Sequence, residues 1–195
     1  MIPKISSSLI ALALTFSHPM NPAVGSSDFA AMRTATARFQ DVNVAIAEGY
    51  VRDPMNACDT AEMVGWSMAT GVHYFRPDLI GSKTSPGTAR GDSRKPGILI
   101  YAPRANGSLE LVAVEDLQVK WDWREGGESK ASKIHGAQNE LIADNPATKV
   151  NEAQMFEPHY DRHVWIFRDN PKELLAYFDR DASCTAREAS AGSAS

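Results

Sequence analysis

The stretch from Gly97 to Trp123 limits the fold more than any other part of the chain. Gly97-Ile98-Leu99-Ile100-Tyr101-Ala102 is an apolar run, Arg104-Ala105-Asn106-Gly107 is turn-forming, and Leu109 to Trp123 is a second, longer run. Asn-Gly supplies two residues that tolerate positive φ at a bend, the chemistry of a tight β-hairpin. The pattern therefore predicts Ile98–Ala102 paired antiparallel with Leu109–Val114. A sheet begun by a hairpin, with no regular alternation of strands and helices elsewhere, argues for α+β architecture over a doubly wound parallel sheet.

The flanking segments complete that expectation. Phe29, Met32, Phe39, Val42 and Ile46 recur at helical spacing behind a Ser27 or Asp28 cap, and Gly49 suits the stop, so one long helix is expected there. Val72–Phe75 and Tyr160–Phe167 read as further strands. A short helix is expected over Thr60–Met68, and Asn170-Pro171-Lys172-Glu173 has the composition of a helix start. Residues 81–95 read as a surface loop and 124–154 as a polar excursion. The expected fold is a curved antiparallel sheet of about four strands packed on the N-terminal helix, in outline similar to cystatin or to nuclear-transport-factor-like folds.

The first residues have the parts of a secretory signal: Lys4, then the apolar run Leu9 to Phe16, then the small-residue site Ala23-Val24-Gly25. The apolar run is much shorter than the roughly 20 residues needed to span a bilayer. Residues 1–25 are thus expected to be a signal peptide, 26–185 one domain and 186–195 a disordered tail. The expected product is periplasmic or secreted and does not span a membrane. The net charge is −4, and no basic stripe offsets it, so no nucleic-acid partner is expected. Hydrophobic residues make up 43% of the chain, enough for a real core. The two cysteines, Cys58 and Cys184, read as a disulfide in an oxidising compartment, since no C-x-x-C spacing suggests redox or metal work.

One carboxylate stands out. Counted by alternation from Leu109, the odd positions of the long strand share one face: Leu109, Leu111, Ala113, Glu115, Leu117, Val119, Trp121 and Trp123. That face is apolar apart from Glu115, and a buried carboxylate must be protonated, paired or wet. His159, Asp161 and His163 likewise share a face of the last strand, and His73 lies on an earlier one. His159 and His163 sit about 13 Å apart on an extended chain, too far for one ion. His73, Glu115 and His163 on neighbouring strands form the easier set, suited to Zn²⁺ or another transition metal. Met68 or Met155 beside them would favour Cu(I). The alternative is a hydrogen-bonded core network. Trp121 and Trp123 are the second candidate, as a stacking platform for a ligand.

No G-x-S-x-G, P-loop, G-x-G-x-x-G, H-E-x-x-H, C-x-x-C-H or EF-hand loop occurs. The segments Gly71-Val72-His73-Tyr74, Leu111-Val112-Ala113-Val114-Glu115 and His163-Val164-Trp165, with Asn170-Pro171 and Cys184, resemble a group of small uncharacterised exported bacterial proteins. The resemblance covers roughly Ala35 to Cys184 and implies export but no activity. Binding of a metal ion, a small ligand or an envelope partner is the expected role. A hydrolytic enzyme using His163, His73 and Glu115, or a purely structural envelope protein, is the alternative.

Overall fold

The Asn106-Gly107 hairpin forms as the sequence predicts. The computed structural model describes residues 26–53, 58–60, 69–81, 92, 94–122, 127–128, 133–134, 137–138, 140–147, 153, 156–170 and 174–176, with the backbone alone at 26–27, 58–60, 69 and 121–140. Strands β4 (Ile98–Pro103) and β5 (Leu109–Val119) pair antiparallel across the bend. Gly107 adopts φ +80°, its N–H donates to the Arg104 carbonyl at 2.8 Å, and Asn106 Oδ1 accepts from Ser108 N. A left-handed residue that carries no Cβ closes the turn without strain.

Around this hairpin lies an antiparallel sheet of seven strands. The others are β1 (Val51–Arg52), β2 (Cys58–Thr60), β3 (Ala69–Phe75), β10 (Glu140–Ile142) and β11 (His159–Val164). Their order is β1-β3-β4-β5-β11-β10, with β2 joining β1 along the outer edge of β3. Two small ribbons stand apart from it: β6 (Trp121–Asp122) with β7 (Gly127–Glu128), and β8 (Lys133–Ile134) with β9 (Ala137–Gln138).

The pairing of β4 with β5 slips by one residue. Ile100 faces Ala113, but Tyr101 faces Leu111, which leaves Val112 as the extra residue of a bulge. The slip corrects the simple alternation counted from Leu109. Leu109 and Leu111 pack with the helical layer on one face, whereas Ala113 and Leu117 pack on the other. Glu115 therefore shares its face with Ala113 and Leu117, not with Leu111.

The helical layer covers the first face through Met32, Phe39 and Ala45, packed against Val72, Tyr74, Leu99 and Tyr101. The one long helix expected here is divided into α1 (Ser26–Thr36), a 3₁₀ turn (Ala37–Gln40) and α2 (Val42–Ala47). Asp41 is the cause. Its backbone is extended (φ −90°, ψ 109°), and its side chain accepts from Asn43 N to cap α2. A short carboxylate competes with helical hydrogen bonding and gains more as a cap than inside a helix. Tyr101 Oη donates to the Phe39 carbonyl at 2.7 Å, which fastens the turn to the sheet.

Among the described residues, no helix is long and apolar enough to cross a membrane. The expected helix over Thr60–Met68 meets β2 at its start, and the rest of it lies outside the described residues, as do most of the closing helix after Asn170, the signal segment and the tail.

Candidate metal centre

The second face of the sheet is apolar where it carries Ile98, Ile100, Ala113, Leu117 and Trp165, and into it the strands set three ionisable groups. Cross-strand register explains how. Phe75, Ile98, Glu115 and His163 form one row across β3, β4, β5 and β11. His73, Ile100 and Ala113 form the adjacent row. Glu115 and His163 are thus direct neighbours, and His73 reaches them diagonally.

The side chains converge on one oxygen. His163 Nε2 lies 3.2 Å from Glu115 Oε2, and His73 Nε2 lies 3.6 Å from the same atom. The imidazole centroids are 6.2 Å apart, although three strand steps amount to about 14 Å at the sheet itself. The rings accordingly lean inward over the face. All three residues are buried, at 5% (His73), 4% (Glu115) and 2% (His163) exposure. A carboxylate stripped of water needs compensation, and two imidazole nitrogens beside one oxygen supply it.

The arrangement also fits an ion. One ligand atom from each residue can be chosen so that all lie within 4.8 Å of one another. Around a tetrahedral ion with bonds of about 2.0–2.1 Å, donor atoms stand about 3.3 Å apart. Two of the separations, 3.2 and 3.6 Å, stand near that edge, and all three lie within 4.8 Å. Two imidazoles and a carboxylate are the donor types that zinc and similar first-row ions accept.

A second polar pair lies farther along the same face. His159 pairs with Val119 and Asp161 with Leu117, and His159 Nε2 is 4.0 Å from Asp161 Oδ2. His159 Nδ1 donates to the Glu157 carbonyl at 2.7 Å, which places the proton of the neutral ring on Nδ1. Burial lowers the pKa of His159 below the ordinary histidine range, opposed by the hydrogen bond to Glu157 and by Asp144. His159 stands four residues from His163 along the extended β11, the spacing that excludes it from the first set.

Phe156 was not singled out by its sequence context. Its ring packs edge-on against both Phe75 (5.8 Å) and His159 (5.7 Å), so it lies over the face that holds the three ligands. A lone aromatic beside a polar stretch has no periodicity to mark it. The indole of Trp121 and the whole of Trp123 lie outside the described residues, as do Met68, Met155, Cys184 and the side chain of Cys58. No protein-family model, curated protein or solved structure matches the chain.

Proposed function

We propose that the chain is an exported α+β domain that binds a transition metal ion, zinc foremost, through His73, Glu115 and His163. The observation that carries this reading is the convergence of two imidazole Nε2 atoms on one buried carboxylate oxygen, at 3.2 and 3.6 Å. Nitrogen and oxygen donors favour Zn²⁺ over Cu(I), which prefers sulfur. The export signal at residues 1–25, a periplasmic or secreted location and a Cys58–Cys184 disulfide belong to the same reading. So does the cystatin- or nuclear-transport-factor-like outline, supported by the helical layer against one face of the sheet. The Trp121 and Trp123 platform has no structural support among the described residues. A hydrolytic enzyme is the second reading, because the three donors found among the described residues would leave a zinc ion one position for water.

The test is zinc titration of the metal-stripped mature protein, followed calorimetrically. One equivalent should bind, and His163→Ala, His73→Ala and Glu115→Ala should each weaken binding at least 100-fold. Stoichiometric binding undiminished in all three variants would rule this site out, and no binding at all would leave the trio a core hydrogen-bond network.

A further inference from the structure

A neighbour of His163, just past the end of β11, ties the trio to a distant part of the chain. This step rests on the metal reading above. Trp165 stands one step beyond the Val164–Val114 pair, and its indole packs on the second face with Ile98, Ile100, Ala113 and Leu117. Two rings border the His163 imidazole. His73 lies across the strands with its centroid 6.2 Å away, and Trp165 lies along the chain at 6.5 Å and an interplanar angle of 56°. In a close-packed interior a ring turns only where a neighbour gives way. The indole therefore limits how far His163 can swing from the Glu115 oxygen that its Nε2 meets at 3.2 Å.

The indole is itself held by residues 174–176. Trp165 Nε1 donates to the Ala176 carbonyl at 2.7 Å, and Trp165 N donates to the Leu174 carbonyl at 2.9 Å. An indole N–H can only donate, so a ring that is 2% exposed depends on that acceptor. The segment is anchored in turn to the other face of the sheet: Ala176 is buried, and Leu174 and Leu175 pack against the cluster that contains Met32 and Phe39. We infer that Trp165 is a positioning residue for His163, set in place by residues 174–176, so that metal occupancy and docking of this segment strengthen each other. Such coupling is reciprocal: the factor that docking adds to metal affinity is the factor that the metal adds to docking.

The test is a calorimetric zinc titration of the metal-stripped mature chain as wild type, Trp165→Phe, Leu174→Ala and Tyr101→Phe. Trp165→Phe keeps a ring beside His163 and loses the donor to Ala176. Leu174→Ala loosens the segment and leaves both ring side chains intact. Tyr101→Phe removes a hydrogen bond to a backbone carbonyl on the opposite face and controls for lost stability alone. Zinc affinity should fall about tenfold in the first two variants, as losses around metal ligands commonly cost, and stay at the wild-type value in the third. A merely structural Trp165 would lower the urea midpoint of Trp165→Phe and leave the zinc affinity of the folded variant unchanged, which overturns the inference and spares the metal site. Equal weakening in Tyr101→Phe would also overturn it. Wild-type affinity in Leu174→Ala overturns the coupling to the segment, whether or not Trp165→Phe folds. A wild-type chain that binds no zinc overturns the metal site and this inference together.

Discussion

Glu115 and His163 are partners across β5 and β11, and their side chains meet at 3.2 Å because strand register places them directly opposite on one face. Removing either leaves a buried polar group without its neighbour. In the metal-free protein, His163→Ala should cost about 1–3 kcal/mol by urea denaturation. Saturating Zn²⁺ should raise the wild-type midpoint and leave the variant's unchanged, since a ligand that binds only the folded state stabilises it by mass action. A wild-type midpoint indifferent to Zn²⁺ contradicts the proposed function.

His159 makes folding sensitive to acid. Its folded pKa is lowered by burial, so the unfolded chain takes up a proton more readily than the folded one. The sign follows: its contribution is flat above the unfolded value of about 6.5 and stability falls as pH drops from there toward the folded value. His159→Asn keeps a donor for the Glu157 carbonyl and removes the titration. Urea midpoints measured from pH 7.5 to 5 should decline less steeply in the variant, with Asp161 and Asp144 nearby in both proteins. Parallel curves would show that His159 does not titrate in that range.

Tyr101 fastens the 3₁₀ turn to the sheet through a single hydroxyl. Tyr101→Phe retains the ring against Tyr74 and loses only the hydrogen bond to the Phe39 carbonyl. The expected loss is about 1–2 kcal/mol, because a buried carbonyl is left unsatisfied. Equilibrium denaturation at constant m-value checks it.

Gly71 is the most constrained backbone position in β3. Its φ is +112°, and a Cβ there would stand 2.8 Å from the Tyr101 carbonyl oxygen and 2.8 Å from Ile100 Cγ2. Gly71→Ala therefore combines an unfavourable backbone region with a clash against β4, at about 2–4 kcal/mol together. A thermal midpoint within 2 °C of the wild type, on the scale of about 2–4 °C per kcal/mol for a domain of this size, would contradict this.

The proposed disulfide can be checked without a structure. The mature protein, denatured without reductant, should react with no thiol reagent, and reduction should release two thiols per chain. Two free thiols before reduction would end that part of the reading.

The hairpin was legible because its signals are local: two apolar runs and an Asn-Gly bend need no distant partner. His73, Glu115 and His163 could be grouped because a carboxylate in an apolar run conflicts with its surroundings, and such conflicts mark sites. The division of the N-terminal helix at Asp41 was harder to see, since apolar spacing continues through it while the local capping chemistry ends the first segment. The bulge at Val112 was hidden for another reason. Nothing in Leu111-Val112-Ala113 distinguishes an extra residue from a regular one, and the slip appears only when the partner strand is laid alongside. Phe156 depended on a fold-back across strands far apart in sequence, which no local pattern encodes.

That extra residue turns chain length into parity. From Leu111 to Glu115, the number of residues and the bulge together decide whether the carboxylate faces the imidazoles or the helices. A deletion of Val112 would remove the bulge, restore regular alternation from Leu111 to Ala113 and leave Glu115 opposite Ile98 on the imidazole side of the sheet. Keeping Val112 but pairing it regularly would instead turn Glu115 to the helical side. Related chains that keep the trio are therefore expected either to keep the bulge with its extra residue or to lose the two together.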